Sequence, residues 1–375
     1  MKRMLLFLLV LSLLLFAACG GEAEVVEEPI EEPIETPVPP EEEEAPRLHV
    51  IATIFPQYDF VRQIAGDRVE RTMLLSPGAE AHSFEPTPQD IIRMQDADLF
   101  IYIGGHGERW VEQILEPILE EHDMHVVALL DLVDALEAYH DHDHDHDHSH
   151  DHDDDHDHGH SHSHDHDDAH DHSHSHDHDD EDDHHHDHDD DHHHHDHDEM
   201  EFDEHVWTSP RNAIQIVEAL TEILVELDEA NAEYFRTNAA AFIAELEELD
   251  AAFAAVVEQA ARHTIVFGDR FPFRYLAHAY GLHYYAAFPG CSTETQASPQ
   301  TVAQLIQTVR DQDIPVVFFI EFSNQQMANV IAEDTGARTL ELHSTHNLTQ
   351  ADFDAGVSYL DLMRRNVEHL REALN

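Results

Sequence analysis

A sixty-residue tract in mid-chain, His140–Glu199, cannot take part in any packed fold. It holds 27 of the 39 histidines and 26 acidic residues, with no Lys or Arg. No periodicity in it buries an apolar face, so it is expected to be disordered when metal-free. The fold must therefore come from the segments on either side, with the tract as an insertion within a domain. Imidazole and carboxylate both accept zinc, and nickel or copper would bind there as well. Ordering such a chain costs entropy, so several ions are expected to bind weakly and exchangeably. A solvated polyelectrolyte with no specific role is the alternative.

The net charge of −63 argues against nucleic acid or an anionic membrane surface as partner and favours cations. Lys2 and Arg3 precede an apolar run, Met4–Ala18, ending in Leu15-Phe16-Ala17-Ala18-Cys19. That is the layout of an export signal rather than a spanning helix. The small pair before Cys19 resembles a bacterial lipobox, with Cys19 as the lipidation site. Residues 20–47 carry eleven Glu among several Pro and read as an extended tether. The only other cysteine is Cys291, so a disulfide framework is not expected despite export.

From Leu48 onward short apolar runs alternate with amphipathic stretches. Strands are expected at Leu48–Ile54, Val69–Leu75, Leu99–Ile103 and His125–Leu129, and again at Thr264–Phe267, His283–Ala287, Val316–Ile320 and Ala337–Leu342. Helices are expected between them, with one closing helix over Phe353–Ala373. This alternation predicts βαβ units and parallel sheets. Between the two series lies Pro210–Ala261, which has no Gly or internal Pro and predicts helix with a break near Asp228–Asn231. The expected architecture is α/β: an N-terminal lobe (48–230, containing the 139–200 loop), a linking helix (231–262) and a C-terminal lobe (263–375). Open α/β sheets bind ligands at the carboxyl ends of their strands, and the cleft between two lobes is the expected site.

His82 lies in Ser76-Pro77-Gly78-Ala79-Glu80-Ala81-His82-Ser83-Phe84-Glu85-Pro86-Thr87-Pro88, on a loop after a strand. Thr87, Pro88 and Asp90 there form a helix-start signal. His205 lies in Asp203-Glu204-His205-Val206-Trp207, just before the Ser209-Pro210 start of the long helix. His82 suits a ligand or a surface loop histidine, and His205 a ligand or the last histidine of the His/Asp tract, although its place among Val206 and Trp207 argues against the latter.

At these residues the chain resembles the solute-binding proteins of zinc and manganese ABC importers, the zinc-uptake (ZnuA-like) family. The matching motifs are Ala52-Thr53-Ile54-Phe55-Pro56 with Tyr58, Pro77-Gly78 through His82-Ser83-Phe84-Glu85-Pro86-Thr87-Pro88, and Asp203-Glu204-His205-Val206-Trp207. An acidic, His-rich insertion before the third motif is typical of zinc-specific members. The resemblance implies metal ligation by His82 and His205, and two lobes on a rigid backbone helix near Asn231–Ala261 with little hinge closure. It departs at Val266-Phe267-Gly268-Asp269-Arg270, where Gly268 occupies the position of a usual His. Second-lobe ligands must then come from elsewhere. His343 and Glu341, after the last expected strand, come first, followed by His346, Asp269 and Cys291.

The implied function is capture of one Zn2+ in the cleft, and its delivery to an ABC permease by a monomer held to the membrane only through its lipid. The protein would sit on the extracytoplasmic face. A manganese-binding counterpart, and an extracellular zinc buffer, sensor or adhesin, are the alternatives. An enzyme is not expected: the sequence contains no His-Glu-x-x-His of a metallohydrolase.

Overall fold

The computed structural model describes residues 47–80, 84–137, 202–288, 290 and 297–375. The expected export signal, Cys19, the tether, the His/Asp tract, His82 and Cys291 lie outside them. Two four-stranded parallel sheets carry the fold. The first contains β1 (His49–Ala52), β2 (Glu70–Met73), β3 (Leu99–Tyr102) and β4 (His125–Ala128) in the order β2-β1-β3-β4. The second contains β5 (Thr264–Arg270), β6 (His283–Phe288), β7 (Val316–Phe319) and β8 (Arg338–Glu341) in the order β6-β5-β7-β8. The helices between them are α1 (Phe55–Ala65), α2 (Pro88–Gln95) and α3 (Arg109–Glu121), then α4 (Pro210–Leu227) and α5 (Ala232–Glu258). The second lobe adds α6 (Arg274–Tyr280), α7 (Pro299–Asp311), α8 (Gln326–Thr335), α9 (Gln350–Asp354) and α10 (Tyr359–Leu374). Among the described residues no helix is long and apolar enough to cross a membrane.

The inner strands β1, β3, β5 and β7 are built around apolar runs because both sheet faces are covered there, while the edge strands β2 and β8 are more polar. Val50, Leu99, Ile101, Ile265, Phe267, Val316 and Phe318 point into one central core, while their neighbours Ile51, Phe100, Val266 and Val317 enter outer cores under α2–α3 or α7–α8. The central core runs without interruption from the first sheet through α4, α5 and α10 to the second. The lobes thus share one apolar interior, which resists hinge bending because close-packed cores transmit strain.

The expected break in the long helix falls at a single turn, Glu229–Asn231, capped by the Asp228 side chain. The start of α2 also matches: Asp90 donates its N–H to Thr87 Oγ1, and Thr87 donates its own to Asp90 Oδ2. One expectation fails. The closing helix is two helices, α9 and α10, because Gly356 takes a left-handed φ of 73° and Ser358 with Asp361 forms a fresh capping box.

Candidate metal centre

The carboxyl ends of both sheets face a cleft that is open to solvent. The second lobe supplies Pro272 after β5, Gly290 after β6, Ile320, Glu321 and Phe322 after β7, and Ser344, His346 and Asn347 after β8. The first lobe supplies Ala79 and Glu80 after β2, and His205.

His205 is 1 % exposed and sits just before the turn that leads into α4. Asp203 Oδ1 accepts both its main-chain N–H (2.9 Å) and its ring Nδ1–H (3.1 Å). A proton held on Nδ1 leaves the lone pair on Nε2, the arrangement a metal-ligating imidazole needs. Burial by itself would raise the Asp203 carboxyl; the facing His205, and beyond it Arg274, hold it below the usual range. Gly290 closes this pair from above. A Cβ there would lie 3.3 Å from Asp203 Oδ2 and 3.9 Å from His205 Cε1.

His346 meets His205 edge-on, with ring centres 5.7 Å apart at 84°. Two imidazoles bound to one tetrahedral zinc at their usual distance have centres about 5 Å apart. The two rings are therefore spaced to share an ion with a small adjustment. Trp207 packs on both, 5.5 Å from His205 and 5.0 Å from His346. Among the described residues no three His, Cys, Asp or Glu side chains converge as a metal-binding group. The chain that leads into His82 is nonetheless fastened at the cleft. Gly78 donates its N–H to Leu348 O (2.8 Å), and Asn347 Nδ2 donates to Ser76 O and Ala79 O, both at 2.9 Å.

The other second-lobe candidates are placed differently. His343 is buried beside the cleft without lining it, and its Nδ1 accepts the Thr345 N–H at 3.0 Å. Glu341 ends β8, where its carbonyl accepts from the His369 ring. Asp269 joins strand ends, its carboxylate accepting the N–H groups of Arg270 (2.9 Å) and Ile320 (3.4 Å). At Gly268 a Cβ would stand 2.3 Å from Ala328 Cα, so this position faces α8 and no side chain fits there. Two residues on, the Arg270 guanidinium reaches the first lobe, 3.6 Å from Glu80.

Glu321 was not anticipated. It is 9 % exposed, and its carboxylate accepts the Ser344 N–H (2.7 Å) and the Ser344 hydroxyl. It thereby fixes the turn that presents His346. A single acid directly after an apolar strand, at the sheet's ligand-binding edge, was the available signal.

Behind His205, Glu204 and Glu108 are buried. Glu204 accepts the Gly107 N–H at 2.6 Å, and Glu108 accepts those of Ile103 (2.5 Å) and Gly104 (3.3 Å). Burial, with the nearby Glu204 charge, pushes Glu108 up to about 7 against those hydrogen bonds. A raised folded-state value favours folding fully below the unfolded value of 4.5, and that contribution is lost as pH rises through about 7. Between pH 5 and 8 this amounts to about 2 to 3 kcal/mol. Urea midpoints of Glu108→Gln, which mimics the neutral acid, are expected to vary less with pH over this window than those of the wild type. An equal slope would show that Glu108 is ionised throughout.

A family model, zinc-uptake complex component A periplasmic (ZnuA), matches residues 50–373. The high-affinity zinc uptake system protein ZnuA of Bacillus subtilis is 28 % identical over 371 residues, covering 98 % of this chain and 97 % of its own. The zinc-binding lipoprotein AdcA of Streptococcus pneumoniae is 28 % identical over 331 residues, 87 % of this chain but 56 % of the longer AdcA. Among solved structures, the Zn(II)-bound ZnuA-like domain of that AdcA aligns with a TM-score of 0.63 at 26 % identity, covering 88 % of this chain and 99 % of the domain. The metal-dependent lipoprotein YcdH of Bacillus subtilis aligns with a TM-score of 0.65 at 26 % identity, covering 88 % and 100 %. With its motifs, its two parallel-sheet lobes and a family match over nearly all of the described fold, the chain belongs to the ZnuA family of periplasmic zinc-uptake components.

Proposed function

We propose that the chain captures Zn2+ outside the cytoplasm and delivers it to the permease of an ABC importer, acting as a lipid-anchored monomer. The observation that carries this reading is the pair of imidazoles in the interlobe cleft, His205 and His346, with centres 5.7 Å apart. His205 is already fixed in the ligating tautomer by Asp203. The family resemblance assigns the third nitrogen to His82, and water or Glu321 completes the shell. A site of imidazoles selects zinc over manganese, which favours carboxylate oxygen. The ion is cargo, and no reaction is performed on it. The His/Asp tract adds weak sites that raise the zinc concentration near the cleft.

The test is a zinc count after chelator competition on a chain that begins at Arg47 and lacks residues 139–200. Glu137 and Phe202 pair in an antiparallel bridge, so a link of about three residues closes the gap. One tightly held zinc per chain is expected, with total capacity well below that of the intact protein. Loss of all tight binding would move the function into the tract and favour a buffer or sensor.

A further inference from the structure

The segment Asp203–Thr208 belongs to the first lobe by chain order and bonds there through Glu204 and the Asp203 N–H, yet other hydrogen bonds run from it to the second lobe and the C-terminal helix. Trp207 Nε1–H donates to Ser344 O at 2.9 Å, and the Tyr359 hydroxyl donates to Trp207 O at 2.6 Å. Tyr275, on α6, donates its hydroxyl proton to Asp203 O at 2.8 Å and accepts the Leu136 N–H at 3.0 Å. Asp203 N–H closes the triangle by donating to Leu136 O at 2.9 Å. One buried hydroxyl from the second lobe thus fastens both chain segments that flank residues 138–201.

We infer that Tyr275 is a positioning residue of the metal site, setting the Asp203 main chain and, through the Asp203 carboxylate, the tautomer and aim of His205. The inference rests on the reading of His205 as a ligand. The Asp203 carboxylate bonds His205 twice, at the main-chain N–H and at ring Nδ1, so a turn of the Asp203 peptide must rotate the imidazole with it. The Tyr275 hydroxyl holds that peptide at its carbonyl, and the partner of the Asp203 N–H, Leu136, is tethered by the same hydroxyl. Removing the hydroxyl leaves the part-buried Leu136 N–H and the buried Asp203 carbonyl without their partner, and the segment shifts to regain one. Because His346 approaches from the second lobe, Tyr275 also keeps the two rings in one frame of reference.

The experiment uses the full chain and reads the cleft through Trp207, which contacts both rings, in a Trp110→Phe background that removes the other tryptophan. Zinc release into excess chelator is followed by stopped-flow fluorescence. Tyr275→Phe keeps the ring and its packing, and release is expected to be about tenfold faster, the effect usual for partners behind a metal ligand. Tyr280→Phe is the control, since its hydroxyl bonds Asp250 on α5, outside the cleft. It is expected to leave release unchanged. Equal release rates in Tyr275→Phe and wild type, or equal acceleration in both variants, would overturn the positioning role. His205→Ala separates the two levels. If it leaves the Trp207 signal intact, the ligand reading itself fails. If it abolishes the signal while Tyr275→Phe behaves as wild type, only the role of Tyr275 falls.

Discussion

His205→Ala is expected to weaken zinc binding in the cleft at least about tenfold, the lower end of what losing even an outer-shell partner costs. The ring is buried, fixed by Asp203 and paired with His346, so its removal takes away an imidazole already set in place. His346→Ala is expected to have an effect of the same order. His343→Ala and Glu341→Ala are expected to leave cleft affinity near the wild-type value. His343→Ala should lower stability instead, because the buried ring accepts the Thr345 N–H that shapes the turn. Competition with a chelator of known affinity, read through Trp207, distinguishes these outcomes from binding in the His/Asp tract. A loss in His343→Ala as large as in His205→Ala would put the second-lobe nitrogen on His343 and displace His346. Unchanged affinity in His205→Ala would remove His205 from the ligand set.

The choice between His343 and His346 shows where sequence reasoning stops. Alternation along a strand puts Glu341 and His343 on one side, and that would favour them as a pair. The strand ends at Glu341, however, and the chain then turns through Thr345 at a φ of 60°. Past that point a period of two has no meaning, and the turn carries His346 round to the cleft. Gly268 is a similar case. Its identity suggested a missing ligand, whereas the glycine is required by the close approach of α8 at Ala328. What was legible followed from burial on both faces. Val316–Phe319 could only be a central strand, and Pro210–Glu258 could only be helix with a break where Asp228 caps a turn. The division of the C-terminal helix was also written in Gly356 and Ser358-x-x-Asp361, but the helical periodicity on both sides masked it. The contacts that fix the segment around His205 come from Tyr275, Ser344 and Tyr359, far away in the sequence, and no local pattern announces them.

Asp59→Ala is expected to lower stability by about 3 kcal/mol, the low end for removing one member of a buried ion pair, since Arg62 keeps some contact with water. Asp59 lies on α1 and is fully buried. Its Oδ2 accepts the Tyr359 N–H at 2.8 Å, capping the start of α10, while Oδ1 faces the Arg62 guanidinium at 2.5 Å. Arg62 in turn donates to the carbonyls of Gly356 and Val357, each at 3.3 Å. These contacts bind a first-lobe helix to the turn that begins the C-terminal helix, and Phe60 packs edge-on against Tyr359 beside them at 5.0 Å. Asp59→Asn keeps an acceptor for the Tyr359 N–H. It should cost less, because burial already holds the Asp59 carboxyl above its ordinary range and the neutral amide avoids that desolvation. Urea unfolding followed both by far-UV circular dichroism and by Trp207 is the measurement. Because one core spans both lobes, the two probes should give a single shared midpoint in the wild type, displaced to lower urea in Asp59→Ala. Two separated midpoints in the wild type would mean that the lobes unfold independently. The interlobe cleft would then have to be assembled by the metal, whereas a shared midpoint means that the frame holding His205 and His346 exists before zinc arrives.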